Sequence, residues 1–290
     1  MALNLGSVEF PLRFMRYDPR MYQITVLSAL LVYGIGWLDF EISAVNASVI
    51  LISVLLTQYI CTYVFRLPKY DPRSSLISGL SLCLLLRTNS LLSVIVTAFI
   101  TIASKFTLRW GEKHICNPTN FGLVAMMLIT DQAWVSPGQW GSTAFLGFLI
   151  ACLGGLVVNR ASRSDVTYAF LVFYITFLFG RALWLGDSLS IPLHQIQNGA
   201  FLIFTFFMIS DPKTTPDSRV GRILFAFLVA AGAFVVHFVL YRTNGLLWSL
   251  AFFSLFTPLI DLLLQCHRYE WRTISKPILK EQVIIQPQRH

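Results

Sequence analysis

The sequence predicts an all-α integral membrane protein with ten transmembrane elements in a 5+5 inverted repeat, some of them short, broken helices. Three observations predict it. Of 290 residues, 56% are apolar and 12% charged, whereas a soluble domain carries about 25% charged residues. Ten apolar runs alternate with polar segments along the chain. If all ten cross, with the amino-terminal segment inside, only Arg87, Arg181 and Arg242 of the 22 Lys and Arg residues fall outside. Short loops rich in Lys and Arg stay cytoplasmic, so both termini are expected there.

Residues 1–20 are a polar cytoplasmic lead with Arg13, Arg16 and Arg20 and no apolar core, so no cleavable signal peptide is expected. Residues 21–38 and 45–65 are the first two runs, joined by a short loop with Asp39 and Glu41 and followed by Arg66, Lys69 and Arg73. The third run, 76–86, would rise only about 16 Å as a helix. That is roughly half of a hydrocarbon core near 30 Å thick. Arg87, Thr88 and Asn89 interrupt it, and 91–104 is the fourth run. Lys105, Arg109 and Lys113 come next, and then the turn HICNPTNFG at 114–122. Pro118 lacks an amide donor, and Asn117, Thr119 and Asn120 suit a turn or a helix cap. Residues 121–130 are the fifth run, again short.

The loop 131–141 has no basic residue, and 142–158 is the sixth run, with Gly154-Gly155 allowing close helix packing. Arg160 and Arg163 precede the seventh run, 166–184. After a polar connection, 199–209 is the eighth, apolar but for Thr205, and it passes into a segment dense in Asp, Pro, Thr, Lys and Arg. The ninth and tenth runs are 220–241 and 245–264. Residues 265–290 form a basic cytoplasmic tail. The expected organisation is one transmembrane domain, 21–264, with repeats near 21–131 and 142–264.

If the short third run dipped in and returned, every later loop would change sides and the charge asymmetry would collapse. Each short run is therefore expected to cross, finishing as non-helical backbone buried in protein. Five elements per half invert the second half. The third and eighth runs then correspond, Ser78-Gly79 against Asn198-Gly199. Broken helices in matching positions mark binding sites in membrane proteins. Their starts offer amide donors and a positive dipole end. Gly79 and Gly199 would admit a flat ligand, and Phe201, Phe204, Phe206 and Phe207 would stack on a ring or pack against lipid and neighbouring helices.

Arg87, Asp131, Arg181, His237 and Asp261 are the ionisable residues in or beside the runs; snorkelling covers most of them, at run ends. Arg181, next to Gly180, is a candidate for a phosphate or carboxylate. His114 reads as a cytoplasmic interface residue. Soluble-enzyme templates fail: the sequence has no phosphate loop, nucleophile elbow or metal-spaced His pair. The five cysteines are scattered and read as free thiols, with no metal site. The net charge of +8 is a topology signal rather than a nucleic-acid footprint.

SGLSLCLLL after DPRSS, HICNPTNFG, and above all NGAFLIFTFFMISDPKTTPDSRVGR resemble the family of the D subunit of the Rnf electron-transport complex and the B subunit of sodium-pumping NADH:quinone oxidoreductase. With YDPR, FGRALWLGD and SPGQWG, the chain is similar over nearly its whole length to the enediyne-associated, UnbU-like branch. The resemblance implies a bacterial inner-membrane subunit, a ten-helix inverted repeat, and membrane flavin that passes electrons while a complex moves ions. In many members flavin mononucleotide (FMN) is esterified to Thr in a Ser-Gly-Ala-Thr motif; the matching positions here are Asn198, Gly199, Ala200 and Phe201. Phe201 has no hydroxyl, so covalent flavin is not expected, while a noncovalent flavin, a quinone or no cofactor stays open.

The expected cofactor-binding set is Ser78, Gly79, Arg181, Asn198, Gly199, Phe201 and Thr205, with no catalytic residue. The first functional reading is a non-autonomous electron-transfer subunit with other redox subunits as partners. A small-solute or ion transporter and a membrane scaffold for a soluble partner are the alternatives.

Overall fold

The computed structural model describes residues 18–37, 43–130, 132–135, 153–155 and 164–266. The fold is mostly helical. Helix α1 is Pro19–Trp37, α2 Ala44–Val64, α3 Arg73–Leu85, α4 Leu91–Thr107 and α5 Pro118–Ile129. Then α6 is Ser164–Leu185, α7 Ser190–Ile196, α8 Gly199–Ile203, α9 Arg219–Phe238, α10 Gly245–Ser254 and α11 Thr257–Leu263. Helices α2, α6 and α9 are long and apolar enough to cross a membrane. The pair α10–α11, bent by 48°, makes a fourth if it is one span. The sixth apolar run lies outside the described residues except for 153–155, as do Asp131 and both terminal segments.

The third and eighth runs are short in the structure as well. Helix α3 stops at Leu85, and α8 passes into a single π turn over Phe204–Met208, where the Ile209 amide reaches back to the Phe204 carbonyl. Such π turns are frequent at functional sites. Beyond α3 the chain departs from a purely helical expectation. Leu86–Thr88, strand β1, pairs antiparallel with Ala133–Val135, and a second ladder joins Arg109–Trp110 to Lys113–His114 across a turn in which Gly111 has φ +62°. Buried backbone that leaves a helix must find partners within protein, and the first ladder supplies them. Arg87 is not at a snorkelling surface. It is 4% exposed and donates from Nη1 to the carbonyls of Cys83 and Leu86 at 3.3 and 2.9 Å, so its charge caps the carboxyl end of α3.

After the π turn the chain folds into a tight knot. The Asp211 carbonyl accepts from the amides and hydroxyls of both Thr214 and Thr215, and its carboxylate from the Lys213 amide. Ser218 caps α9 at the Gly221 amide. Charges of the same face tie this knot down: Lys113 reaches Asp261 at 2.6 Å and Asp217 at 3.2 Å, and Arg222 Nε is 2.8 and 2.9 Å from the Asp165 oxygens. Close packing completes the scaffold. A Cβ on Gly79 would meet Val54 Cγ2 at 2.7 Å, so this glycine serves the α2–α3 contact.

Candidate functional site

Between α3, the end of α4, the start of α5 and the π turn lies a cavity of about 300 Å³. That matches the small end of ligand pockets. Ser74, Ile77, Ser78 and Ser81 of α3 form one wall, and Phe207, Met208 and Ser210 the opposite one. Gln58, Phe106 and the turn Asn117–Thr119 close it, and Arg20, Asp71, Lys105, Arg109, His114, Asp211 and Lys213 supply its charged and titratable groups.

Each polar group is placed by local rules. Asn117 accepts from the Asn120 amide at 3.1 Å and caps α5, with Pro118 at the first helical position. The amide of Thr119, the next in line, has no partner within the helix, and its hydroxyl donates to the Ser78 carbonyl at 3.4 Å. The Asn117 side-chain amide reaches the Met208 carbonyl and the Asp211 carboxylate, both at 3.4 Å, which pins the α5 start to the end of the π turn.

Lys105 is 5% exposed, and the one hydrogen bond of its Nζ among the described residues goes to Gln58 Oε1 at 3.2 Å. It sits there because Ser93, Thr97, Thr101 and Lys105, four apart, form a single polar stripe on α4, and all four are buried.

Arg20 belongs to a self-neutral quartet. It bridges Asp18 and Asp71 at 2.6 and 2.9 Å, and Arg73 bridges the same two carboxylates at 2.6 and 2.8 Å. Burial pushes the Asp71 carboxyl up, but hydrogen bonds and charge from Arg73 and Arg20 outweigh it and hold it well below the usual carboxylate range. With the quartet balanced, Lys105, Arg109 and Lys213 face the cavity against Asp211. His114 registers that field. Burial first, then the charges of Lys105, Arg109 and Lys213, push it down to about 3.

This has a measurable result. The folded-state value of His114 lies below its ordinary 6.5, so the unfolded chain takes up the proton first. Its contribution to stability is complete above about pH 6.5 and is lost as the pH falls toward 3. The thermal midpoint in detergent is expected to drop between pH 6.5 and 4, and His114→Asn to flatten that limb. The steeper loss below about pH 4 stays, because there the unfolded chain takes up protons that the paired Asp18 and Asp71 resist in the folded state. An unchanged upper limb in the variant would refute the assignment.

Of the residues singled out in the sequence, Ser78 lines the cavity. Gly79 faces α2. Asn198 caps α8 by accepting from the Ala200 amide at 2.8 Å, with Gly199 buried behind it. Phe201 is 3% exposed, stacked on Tyr174 at 5.5 Å and 6.2 Å from Phe170. Its position offers no hydroxyl for a phosphoester, and its ring is packed inside this aromatic cluster. The Thr205 hydroxyl donates to the Phe201 carbonyl at 2.7 Å and is fully buried. Arg181 bridges Asp187 at 3.2 Å and lies 4.4 Å over the Phe238 ring, away from the cavity lining. Among the described residues no cluster of His, Cys, Asp and Glu suits a metal ion. Lys105 and Lys213 also line the cavity without any signal of a site role in the motifs, and Asn117–Thr119 read there only as a turn or cap; the four-residue polar spacing on α4 is the signal that could have found Lys105.

Residues 121–270, just over half of the chain, match the sequence model of the NQR2, RnfD, RnfE family. The chain is 29% identical over 142 residues to the D subunit of the ion-translocating oxidoreductase complex of Alcanivorax borkumensis, covering 48% of this chain and 39% of the relative. It is 26% identical over 164 residues to the counterpart from Erwinia tasmaniensis, covering 56% and 42%. Against the counterpart from Mannheimia succiniciproducens it is 30% identical over 112 residues, covering 38% and 31%. The chain thus spans roughly two fifths of the length of the first two relatives.

Proposed function

The chain belongs to the NQR2, RnfD, RnfE family, and from that premise we propose that it is a membrane electron-transfer subunit of a multiprotein redox complex. It holds a flavin or a quinone noncovalently, and its partners are other subunits of that complex. The observation that carries this reading is the cavity of about 300 Å³ between α3 and the π turn that ends the eighth run, with Ile77, Phe106, Phe207 and Met208 as apolar walls and buried Ser, Thr and Asn as polar anchors. A redox ring needs such a mixed lining: apolar faces exclude water, and a few fixed donors orient its carbonyls. Covalent FMN does not fit, because Phe201 fills the attachment position.

Repeated packing supports an inverted repeat. Helix α2 packs on α4 and α4 on α5; in the second half α6 packs on α9 and α9 on α10. Each half has a short third element, α3 or α8, followed by non-helical chain. The Lys and Arg distribution supports a topology with residues 20, 73, 113 and 222 on the cytoplasmic side of a bacterial inner membrane, so the cavity opens to that side.

The test is cofactor analysis of the full chain purified in mild detergent. A flavin or quinone released by denaturation at near-stoichiometric yield, and no flavin fluorescence left on the denatured polypeptide, is the expected result. A colourless protein that releases neither, even after isolation with its membrane partners, overturns the proposal.

A further inference from the structure

We infer that the cavity binds its ligand by an oxyanion, a phosphate or a carboxylate, seated on Lys105 at the start of α5. This rests on the redox reading for the place of the ligand and adds its chemistry. Burying an ammonium group with one neutral hydrogen bond is costly unless a counter-charge arrives. Lys105 is 5% exposed and has only Gln58 Oε1 as a hydrogen-bond partner among the described residues. The carboxylates that compensate it, Asp211 and Asp71, act through space without a hydrogen bond to it among the described residues. Meanwhile Asp71 is held by Arg20 and Arg73.

Three further features converge on the same volume. The α5 start, a twelve-residue helix with Asn117, Pro118 and Thr119 on the cavity wall, turns its positive end toward it. Lys213 and Arg109 line the wall beside Lys105. Finally, after burial, the charges of Lys105, Arg109 and Lys213 add to the depressed protonation of His114, so all three act on this volume. A neutral ligand would leave that charge in place; an oxyanion removes it. The phosphate or carboxylate can come from a soluble cofactor or metabolite, or from a lipid headgroup.

FMN and riboflavin differ only by a phosphate, so the pair isolates it. Each is titrated by fluorescence into the full chain purified in zwitterionic detergent. FMN is expected to bind at least about tenfold tighter than riboflavin, the scale of one charge-assisted hydrogen bond, and inorganic phosphate to compete with it. In Lys105→Met the FMN advantage disappears while riboflavin affinity holds. Equal affinity of the two flavins in the wild type, or an FMN preference that survives Lys105→Met, overturns the oxyanion site and leaves the redox reading standing. If neither flavin binds but inorganic phosphate raises the thermal midpoint of the wild type and not of Lys105→Met, the oxyanion site stands and the flavin reading fails. If phosphatidylglycerol nanodiscs raise the midpoint over phosphatidylcholine ones through Lys105 while free phosphate does nothing, the source is a lipid headgroup. No response to either flavin, phosphate or phosphatidylglycerol overturns the inference. Should Lys105→Met not fold, Lys213→Gln, half-exposed at the wall, is expected to weaken FMN and phosphate alike, and unchanged affinities count against the site.

Discussion

Gly122→Val is expected to lower the unfolding midpoint in detergent sharply and to abolish ligand retention in the cavity. A Cβ at Gly122 would overlap the Thr101 hydroxyl, and would lie 3.0 Å from Thr101 Cβ and 3.3 Å from Thr101 Cα. The hydroxyl can rotate away; the backbone carbon cannot, so α4 and α5 must separate. Overpacking of this kind costs about 3 kcal/mol, and here it acts on the two helices that carry Lys105 and the Asn117–Thr119 turn. Fold and site therefore fail together. The Thr101 hydroxyl is itself buried without a hydrogen-bond partner among the described residues, so Thr101→Ala alone is expected to be neutral or mildly stabilising. Combined with Gly122→Ala it should recover part of the midpoint that Gly122→Ala loses, a coupling that a double-mutant cycle measures. A Gly122→Val protein with the wild-type midpoint would mean that the two helices do not approach as described.

The second large effect is at Phe201. Phe201→Ala removes a ring that is 3% exposed and stacked within the Phe170–Tyr174 cluster. Such truncations cost about 3 kcal/mol or more. In a bilayer the part due to leaving water shrinks, but lost packing and the cavity left behind remain. Yet Phe201 does not line the polar cavity, so flavin or phosphate binding by the folded fraction is expected to be unchanged. The two readouts separate a structural plug from a ligand wall. If Phe201→Ala kept its midpoint and lost the ligand, the start of α8 would be the binding site after all, and the proposed cavity would be wrong.

The contrast between Phe201 and Lys105 shows what is legible in the sequence. Short third and eighth runs, the Asn117 cap with Pro118 at the first helical position, and the polar break after Ile209 are all readable, because each obeys local rules of length, hydropathy and backbone donors. The ligand groups are not. Gly79 reads as a place where a flat molecule approaches backbone, yet Val54 takes that space; Arg181 reads as an anion site, yet Asp187 and Phe238 hold it. Lys105 reads as one more cytoplasmic charge, and its burial depends on α2 and α5 closing over a stripe whose four-residue spacing only hints at a covered face.

The class of molecule and the places where its helices break are therefore written in the chain itself, since the bilayer imposes them through composition, span length and charge bias. The tertiary structure alone decides which charges are consumed by one another and which are left facing a cavity. Pairing such as Arg20 and Arg73 with Asp18 and Asp71, or Lys113 with Asp217 and Asp261, joins residues up to 148 positions apart. No local pattern encodes that distance. The charge still unbalanced after such pairing, Lys105 above all, marks the site.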